Sequence, residues 1–284
     1  MTERSLDQSY LEGWIGRQES AQDQLKAQQA RLMETTLDRA ASLSDGDALP
    51  PLWQWIYFPV EAPLSGLGRD GHPKLGGFLP PVALPRRMWA GGRLEIRAPL
   101  RLGETVERHS EIKSVALKQG KTGPLCFVSL LHRYLSGGEE RISEYLDLVY
   151  REDPKPDQPA PPGKPAPTES DWQRRVTPSP IQLFRYSALT FNGHRIHYDR
   201  DYCRDVEGYP GLIFHGPLTA TLLCGLAVEE CAGRLTRFSY RAMAPLFDTA
   251  PFTLAGRAKE GGADLWAATP DGHLAMTADA SFEA

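Results

Sequence analysis

The stretch Phe184–Leu223, FRYSALTFNGHRIHYDRDYCRDVEGYPGLIFHGPLTATLL, holds three of the chain's seven histidines: His194, His197 and His215. It runs from a polar, aromatic segment through Gly216-Pro217 into an apolar stretch. Proline suits the first turn of a helix, where its missing N–H has no intrahelical partner to lose. The pattern therefore predicts a loop feeding a buried helix over about 217–232. Gly216 can bring backbone close to a ligand and offer its N–H, helped by the positive end of the helix dipole. The plainer alternative is that Gly216 only caps the helix.

Around this stretch, strands are expected at about 174–177, 234–243, 251–259, 263–268 and 273–283. The first half has the same order of elements. A short helix is expected within 1–17, ending near Gly13–Gly16. A second is expected over about 20–38, where Leu25, Leu32, Met33 and Leu37 share a face. Strand-like segments follow at about 92–100, 104–118, 124–136 and 139–150. They alternate in places (Leu94, Ile96, Ala98; Val128, Leu130) and are separated by turn glycines such as Gly103 and Gly137-Gly138. Residues 45–92 are too irregular for a regular element and too aromatic for disorder. A long ordered loop of this kind carries function or covers a cavity. Residues 153–170 contain seven prolines and no aromatic residue, so they read as an extended linker. A helix followed by an antiparallel meander, twice over, predicts an α+β chain of two domains, 1–152 and 171–284.

Composition narrows the function. With 284 residues and 41% apolar content, the chain can fill its cores without disulfides or a structural metal. A net charge of −4 with no basic concentration argues against nucleic acid. Cys126, Cys203, Cys224 and Cys231 follow no zinc or redox spacing, and free thiols favour the cytoplasm. The polar start MTERSLDQSY lacks a secretory apolar region, and no apolar run approaches a membrane span. His194, His197 and Asp199 can imitate a metal cluster, but no metal is expected.

Leu189–Asp199, taken with Phe214-His215-Gly216-Pro217, resembles the MaoC-like hydratase/dehydratase family of hot-dog proteins. Against that family's motif, G-D-x-N-P-L-H-x-D, His197 falls at the catalytic histidine and Asp199 at the final aspartate. Asn192 stands where the family usually has its catalytic aspartate. His194 replaces the motif's asparagine, and Arg195 its proline. A subgroup with N-x-H-R-I-H-Y-D, D-G-H-P, L-P-R-R-M-W-A-G-G and a G-K-T-G-P-L-type turn is more similar still. It includes mesaconyl-C4-CoA hydratases, itaconyl-CoA hydratases and mitochondrial 3-hydroxyacyl-thioester dehydratases. The resemblance implies a double hot-dog fold, two antiparallel sheets each wrapped round a long helix, with one acyl-CoA site and no cofactor. It also implies that the second half supplies the chemistry and the first half is catalytically silent.

Hydrating a conjugated thioester requires a base for water, an acid for the α-carbon and donors for the enolate oxygen. Imidazole titrates near ~6.5 and can move protons at neutral pH, which makes His197 the expected base. Asn192 can hold water or the thioester but cannot act as a carboxylate. Either His197 makes both transfers, or Asp199 or another carboxylate assists. Gly216 N–H is the expected oxyanion donor. His215 orients the loop or lines the pocket. A free carboxylate on the substrate calls for a guanidinium. Arg185 and Arg195 flank the loop and are the first choices; Arg86 and Arg87 bind substrate or form salt bridges. Lys118 and Lys121 meet CoA phosphates or sit in a solvated turn. His72 is a ligand, an acid or a turn histidine. The expected activity is hydration of itaconyl-CoA or mesaconyl-C4-CoA to citramalyl-CoA in itaconate degradation. A fatty-acid-type 3-hydroxyacyl-thioester dehydratase, a hot-dog thioesterase and a non-catalytic acyl binder are the alternatives. Acyl-CoA is the expected partner of a monomer or homo-oligomer.

Overall fold

Among the described residues of the computed structural model, which are 6–120, 123–153 and 163–284, ten strands form one continuous antiparallel sheet. The first half contributes β1 (Gln18–Gln24), β2 (Arg86–Ile96), β3 (Thr105–Gly120), β4 (Gly123–Ser136) and β5 (Glu139–Arg151). The second contributes β6 (Trp172–Val176), β7 (Arg234–Ala242), β8 (Phe252–Lys259), β9 (Gly262–Ala268) and β10 (Leu274–Glu283). Their order is β1-β3-β4-β5-β2-β7-β10-β9-β8-β6. Each half is thus a five-stranded unit, and the halves join where β2 lies beside β7. The helices are α1 (Gln8–Glu12), α2 (Ala27–Thr36), α3 (Pro180–Leu189), α4 (Arg200–Asp205) and α5 (Gly216–Glu230).

Helix α5 is apolar on every side, with Leu218, Ala220, Leu223, Cys224, Leu226 and Ala227 buried. Such a helix belongs in a core, and β7–β10 pack against it. This is the α+β double hot-dog arrangement. The first half realises it less regularly. Its helix, α2, buries Ala27, Ala30 and Met33 but leaves Leu32 about half exposed. Trp53, Ile56, Tyr57 and Phe58, from the aromatic loop, share the same core. That loop therefore supplies apolar volume that a longer helix would otherwise fill.

The structure corrects three element assignments. The helix expected from about residue 20 starts only after Lys26, because residues 18–24 pair with β3 as a strand. The unpaired edge of β3 offers backbone partners that outweigh helix propensity. Strand β2 begins at Arg86, so the segment RRMWAGG, read as irregular, lies within the sheet. The loop expected ahead of α5 contains α3 and α4. Ser179 caps α3 by accepting from Ile181 N–H, and Pro180 occupies the first turn. Of the proline-rich segment, Pro165 bridges to His273, and Ala166 N–H donates to Gly272 O at 2.9 Å; residues 154–162 lie outside the described residues.

The junction between the halves requires glycine. A Cβ on Gly91 would lie 2.6 Å from Tyr240 O, and one on Gly92 would lie 2.4 Å from both Tyr145 O and Tyr240 Oη. Next to these glycines, Trp89 stacks on Tyr240 with ring centroids 4.4 Å apart, and Trp55 meets both edge-on. Trp55 Nε1 and Tyr134 Oη donate to the buried Glu144 carboxylate at 2.7 and 2.9 Å. Gly92→Ala is expected to cost about 1–3 kcal/mol through overpacking. Thermal denaturation with an unchanged midpoint would contradict this account of the junction.

Candidate active site

The loop between α3 and α5 is built by local hydrogen bonds. Asn192 Oδ1 accepts from His194 N–H at 3.0 Å, turning the chain after Phe191, whose φ of 49° is left-handed. A 3-10 turn over Arg195–His197 follows. Asp199 then caps α4, its Oδ1 accepting from Tyr202 N–H at 2.9 Å. Ile213 N–H donates to Ile196 O at 2.9 Å, and His197 Nδ1–H donates to Ile213 O at 2.8 Å. This second bond fixes the His197 tautomer and leaves the Nε2 lone pair for chemistry.

Four histidines form a row. His215 stacks on His197 at 3.6 Å between ring centroids. His197 meets His194 edge-on at 5.4 Å, and His194 lies 4.1 Å from His72. Burial lowers the His197 pKa to about 4; the Ile213 carbonyl bond opposes this and the charge of His72 adds to it. His197 is therefore neutral at physiological pH, as a base must be. His215 is fully buried, its pKa is pushed well below the usual value, and its Nε2 lies 2.9 Å from Ser187 Oγ. Its second nitrogen has no hydrogen-bond partner among the described residues.

His72 belongs to the first half. Its Nδ1–H donates to Asp70 Oδ2 at 2.7 Å, while Asp70 Oδ1 accepts from His72 N–H at 3.0 Å. Burial lowers the His72 pKa, with the Arg87 charge adding and Asp70 opposing. Burial would raise the Asp70 carboxyl, but its hydrogen bonds from His72 and the nearby histidine charge hold it well below the usual range. The two loops dock through backbone: Arg195 N–H donates to Asp70 O at 2.9 Å. A Cβ on Gly71 would lie 1.9 Å from Gly193 O, so the D-G-H-P turn needs its glycine for this approach. The Asp-x-His spacing was the only sequence signal for the pair. Ser187, behind His215, had no such signal.

The other anticipated residues are dispersed. Asp199 Oδ2 accepts from Arg195 Nε and Nη2 at 3.0 and 2.7 Å, so both its oxygens are engaged. Arg195 also donates to Arg69 O. Arg185 is exposed on α3, lining a groove of about 530 Å³ against α2 and away from the histidine row. Arg86 is buried and paired with Glu207. Arg87, on the other face of β2, has no carboxylate within ion-pair distance among the described residues, and its charge depresses both His72 and His194. Lys118 is exposed over the Phe127 ring; Lys121 lies outside the described residues. At Gly216 a Cβ would lie 2.8 Å from Trp89 Cε3, so this glycine admits an indole from the first half. Its N–H is one of the first-turn donors without an intrahelical acceptor. His194, His72 and Asp70 offer ligand atoms within 4.8 Å of one another.

A sheet wrapped round an apolar helix, with a histidine loop at that helix's N-terminus, defines a double hot-dog protein of the MaoC-like type. The structure of a MaoC-like dehydratase from Phytophthora capsici matches with a TM-score of 0.67 at 14% identity, covering 96% of this chain and 97% of that one. A conserved hypothetical protein from Mycobacterium tuberculosis, described as a double hot-dog fold, matches with a TM-score of 0.57 at 13% identity over 94% and 96%. The model of the family "hydroxyacyl-thioester dehydratase type 2" matches residues 52–248. The mesaconyl-C4-CoA hydratase of Chloroflexus aurantiacus is 46% identical over 267 residues, 93% of this chain and 95% of that protein. The chain belongs to the hydroxyacyl-thioester dehydratase type 2 family.

Holding these histidines neutral links stability to pH. His72, His194, His197, His215 and His132 all have folded pKa values below the ordinary one, with burial the leading cause. The unfolded chain then binds more protons between about pH 6.5 and 4. Stability is fully present above ~6.5 and falls as the pH drops toward 4. Thermal melts across that range are expected to show a steady decline; a flat midpoint would mean that the row is not buried and neutral.

Proposed function

We propose that the protein is an acyl-CoA hydratase that adds water to a branched dicarboxylyl-CoA, itaconyl-CoA or mesaconyl-C4-CoA, to give citramalyl-CoA. A cytoplasmic role in itaconate degradation is part of the same reading. One observation carries it: a buried, neutral His197 with a free Nε2 shares its site with Arg87, a guanidinium that has no carboxylate partner among the described residues. Family membership and the similarity to a mesaconyl-C4-CoA hydratase support it.

For mesaconyl-C4-CoA, whose double bond is conjugated with the thioester, His197 Nε2 removes a proton from water as the oxygen bonds to the β-carbon. The displaced electron pair moves to the thioester oxygen, where Gly216 N–H and the start of α5 supply positive potential. The stacked, neutral His215 shields the His197 imidazolium without adding a second cation. Arg87 pairs with the free carboxylate of the substrate. Lys118 lies in the same register row as Arg86 across β4 and β5, on the sheet face opposite Arg87, so it takes no part in this reading.

Arg87 disfavours an uncharged, straight-chain substrate of fatty-acid type. A thioesterase would need a carboxylate free to attack or to activate water. Asn192 is an amide, and both Asp199 oxygens are engaged.

His197→Ala is expected to lower kcat for mesaconyl-C4-CoA by roughly 10²–10⁴-fold, followed as loss of enoyl-thioester absorbance and formation of citramalyl-CoA. Release of free CoA instead would replace the reading with a thioesterase. Arg87→Gln is expected to reduce the preference for mesaconyl-C4-CoA over crotonyl-CoA by roughly 10- to 100-fold, the value of a charged hydrogen-bond pair. An unchanged ratio would place the carboxylate elsewhere.

A further inference from the structure

We propose that the Asp70–His72 pair of the first half is the second proton-transfer group of the site, with His72 exchanging a proton at the α-carbon while His197 serves the water on the β-carbon. The proposal rests on the hydratase reading and names the acid that reading lacks.

The need arises inside the catalytic loop. Asn192 has no ionisable proton, and its Oδ1 is held by His194 N–H. Asp199 is ion-paired with Arg195 and caps α4, so both its oxygens are already engaged. The docked D-G-H-P turn, in contrast, presents an imidazole backed by a carboxylate. Asp70 accepts from Nδ1–H at 2.7 Å, which fixes the tautomer, leaves Nε2 as the working atom and stabilises an imidazolium when one forms. The arrangement is the base-plus-orienting-carboxylate unit of nucleophilic enzymes, here assembled across two halves of one chain.

Spacing fits two bases acting on adjacent carbons. Ring separations of 4.1 and 5.4 Å along the row keep His72 within roughly 9.5 Å of His197, close enough for the two to reach adjacent carbons of one substrate. His194 stands between them, touching both rings.

The step balances with one proton shared between two imidazoles. In hydration, water gives a proton to His197 Nε2 and its oxygen bonds to the β-carbon. The C=C electron pair becomes the enolate. The proton on His197 passes to neutral His72 by way of His194, the enolate α-carbon takes it from His72 Nε2, and the thioester carbonyl re-forms. In the reverse direction neutral His72 takes the α-proton, His194 passes it to His197, and His197 gives it to the departing hydroxyl. A substrate carboxylate on Arg87 cancels the positive charge that opposes protonation of His72.

Asp70, His72 and His194 also have the composition of a metal site. Two features favour proton transfer instead. Asp70 Oδ2 and His72 Nδ1 already share a proton, and Arg87 holds positive charge at both histidines.

The test separates the two carbons. Methylsuccinyl-CoA, saturated and without a hydroxyl to lose, can exchange its α-hydrogens with D2O but cannot be dehydrated. Exchange is read by mass spectrometry and hydration of mesaconyl-C4-CoA by absorbance. His72→Gln is expected to lose both, exchange by at least tenfold. His197→Ala is expected to lose hydration far more than exchange. Asp70→Asn, which spares the ring, is expected to slow exchange at least tenfold while the thermal midpoint shows a folded protein. It stands in if His72→Gln does not fold. Exchange that survives in His72→Gln and disappears in His197→Ala overturns the proposal and gives both transfers to His197. So does normal wild-type hydration without any exchange, and so does chelator-sensitive activity restored by zinc. A wild-type enzyme that hydrates no enoyl-thioester overturns the hydratase reading itself.

Discussion

The pairing of β2 with β7 leaves no space for side chains at Gly91 and Gly92, and much of the molecule follows from that contact. It turns two five-stranded units into one sheet. It places Trp89 against both Tyr240 and the start of α5 at Gly216. Arg87 lies two positions earlier on the same strand, within electrostatic reach of His72 and His194. A second contact of the same kind, Gly71 against Gly193, sets the first-half turn on the histidine loop. In both places glycine serves close approach of backbone, and together they make the site common property of the two halves.

Burial then decides the electrostatics. Desolvation disfavours charged imidazole, so a row of stacked and edge-on histidines is stable only while its members are neutral. That is also the state a base needs before it meets water. The requirement is met through hydrogen bonds that fix tautomers, from Ile213 O to His197 and from Asp70 to His72. Charge enters through Arg87. Arg86, one residue away, is neutralised by Glu207. Two adjacent arginines on one strand thus have opposite fates because successive side chains leave opposite faces.

Much of the fold was legible in the sequence because its signals were local. The Gly-Pro break and the all-round apolar run marked α5 to within a residue or two. Turn glycines and alternation marked β3, β4, β5 and β7–β10. His197 stood out because it falls at the catalytic histidine of the motif that the loop resembles. Strand β1 was hidden, since its residues favour a helix until the edge of β3 is present to pair with them. The RRMWAGG segment was hidden as well: its glycines argue against a strand unless another strand must approach closely.

By itself, therefore, the sequence determined the α+β class, the central helix, the family and the histidine loop, all of which rest on interactions between residues near one another in the chain. Only the tertiary structure decided which charges remain available. Arg195 and Asp199 neutralise each other, Arg185 is exposed in a groove against α2, and Arg87 stands without an ion pair among the described residues. It also brought Asp70 and His72 to His194 across more than a hundred residues of chain. The physical reason is the same in each case. A side chain's ionisation and reach depend on what desolvates it and what pairs with it, and those partners come from distant segments that meet only when the sheet closes across β2 and β7.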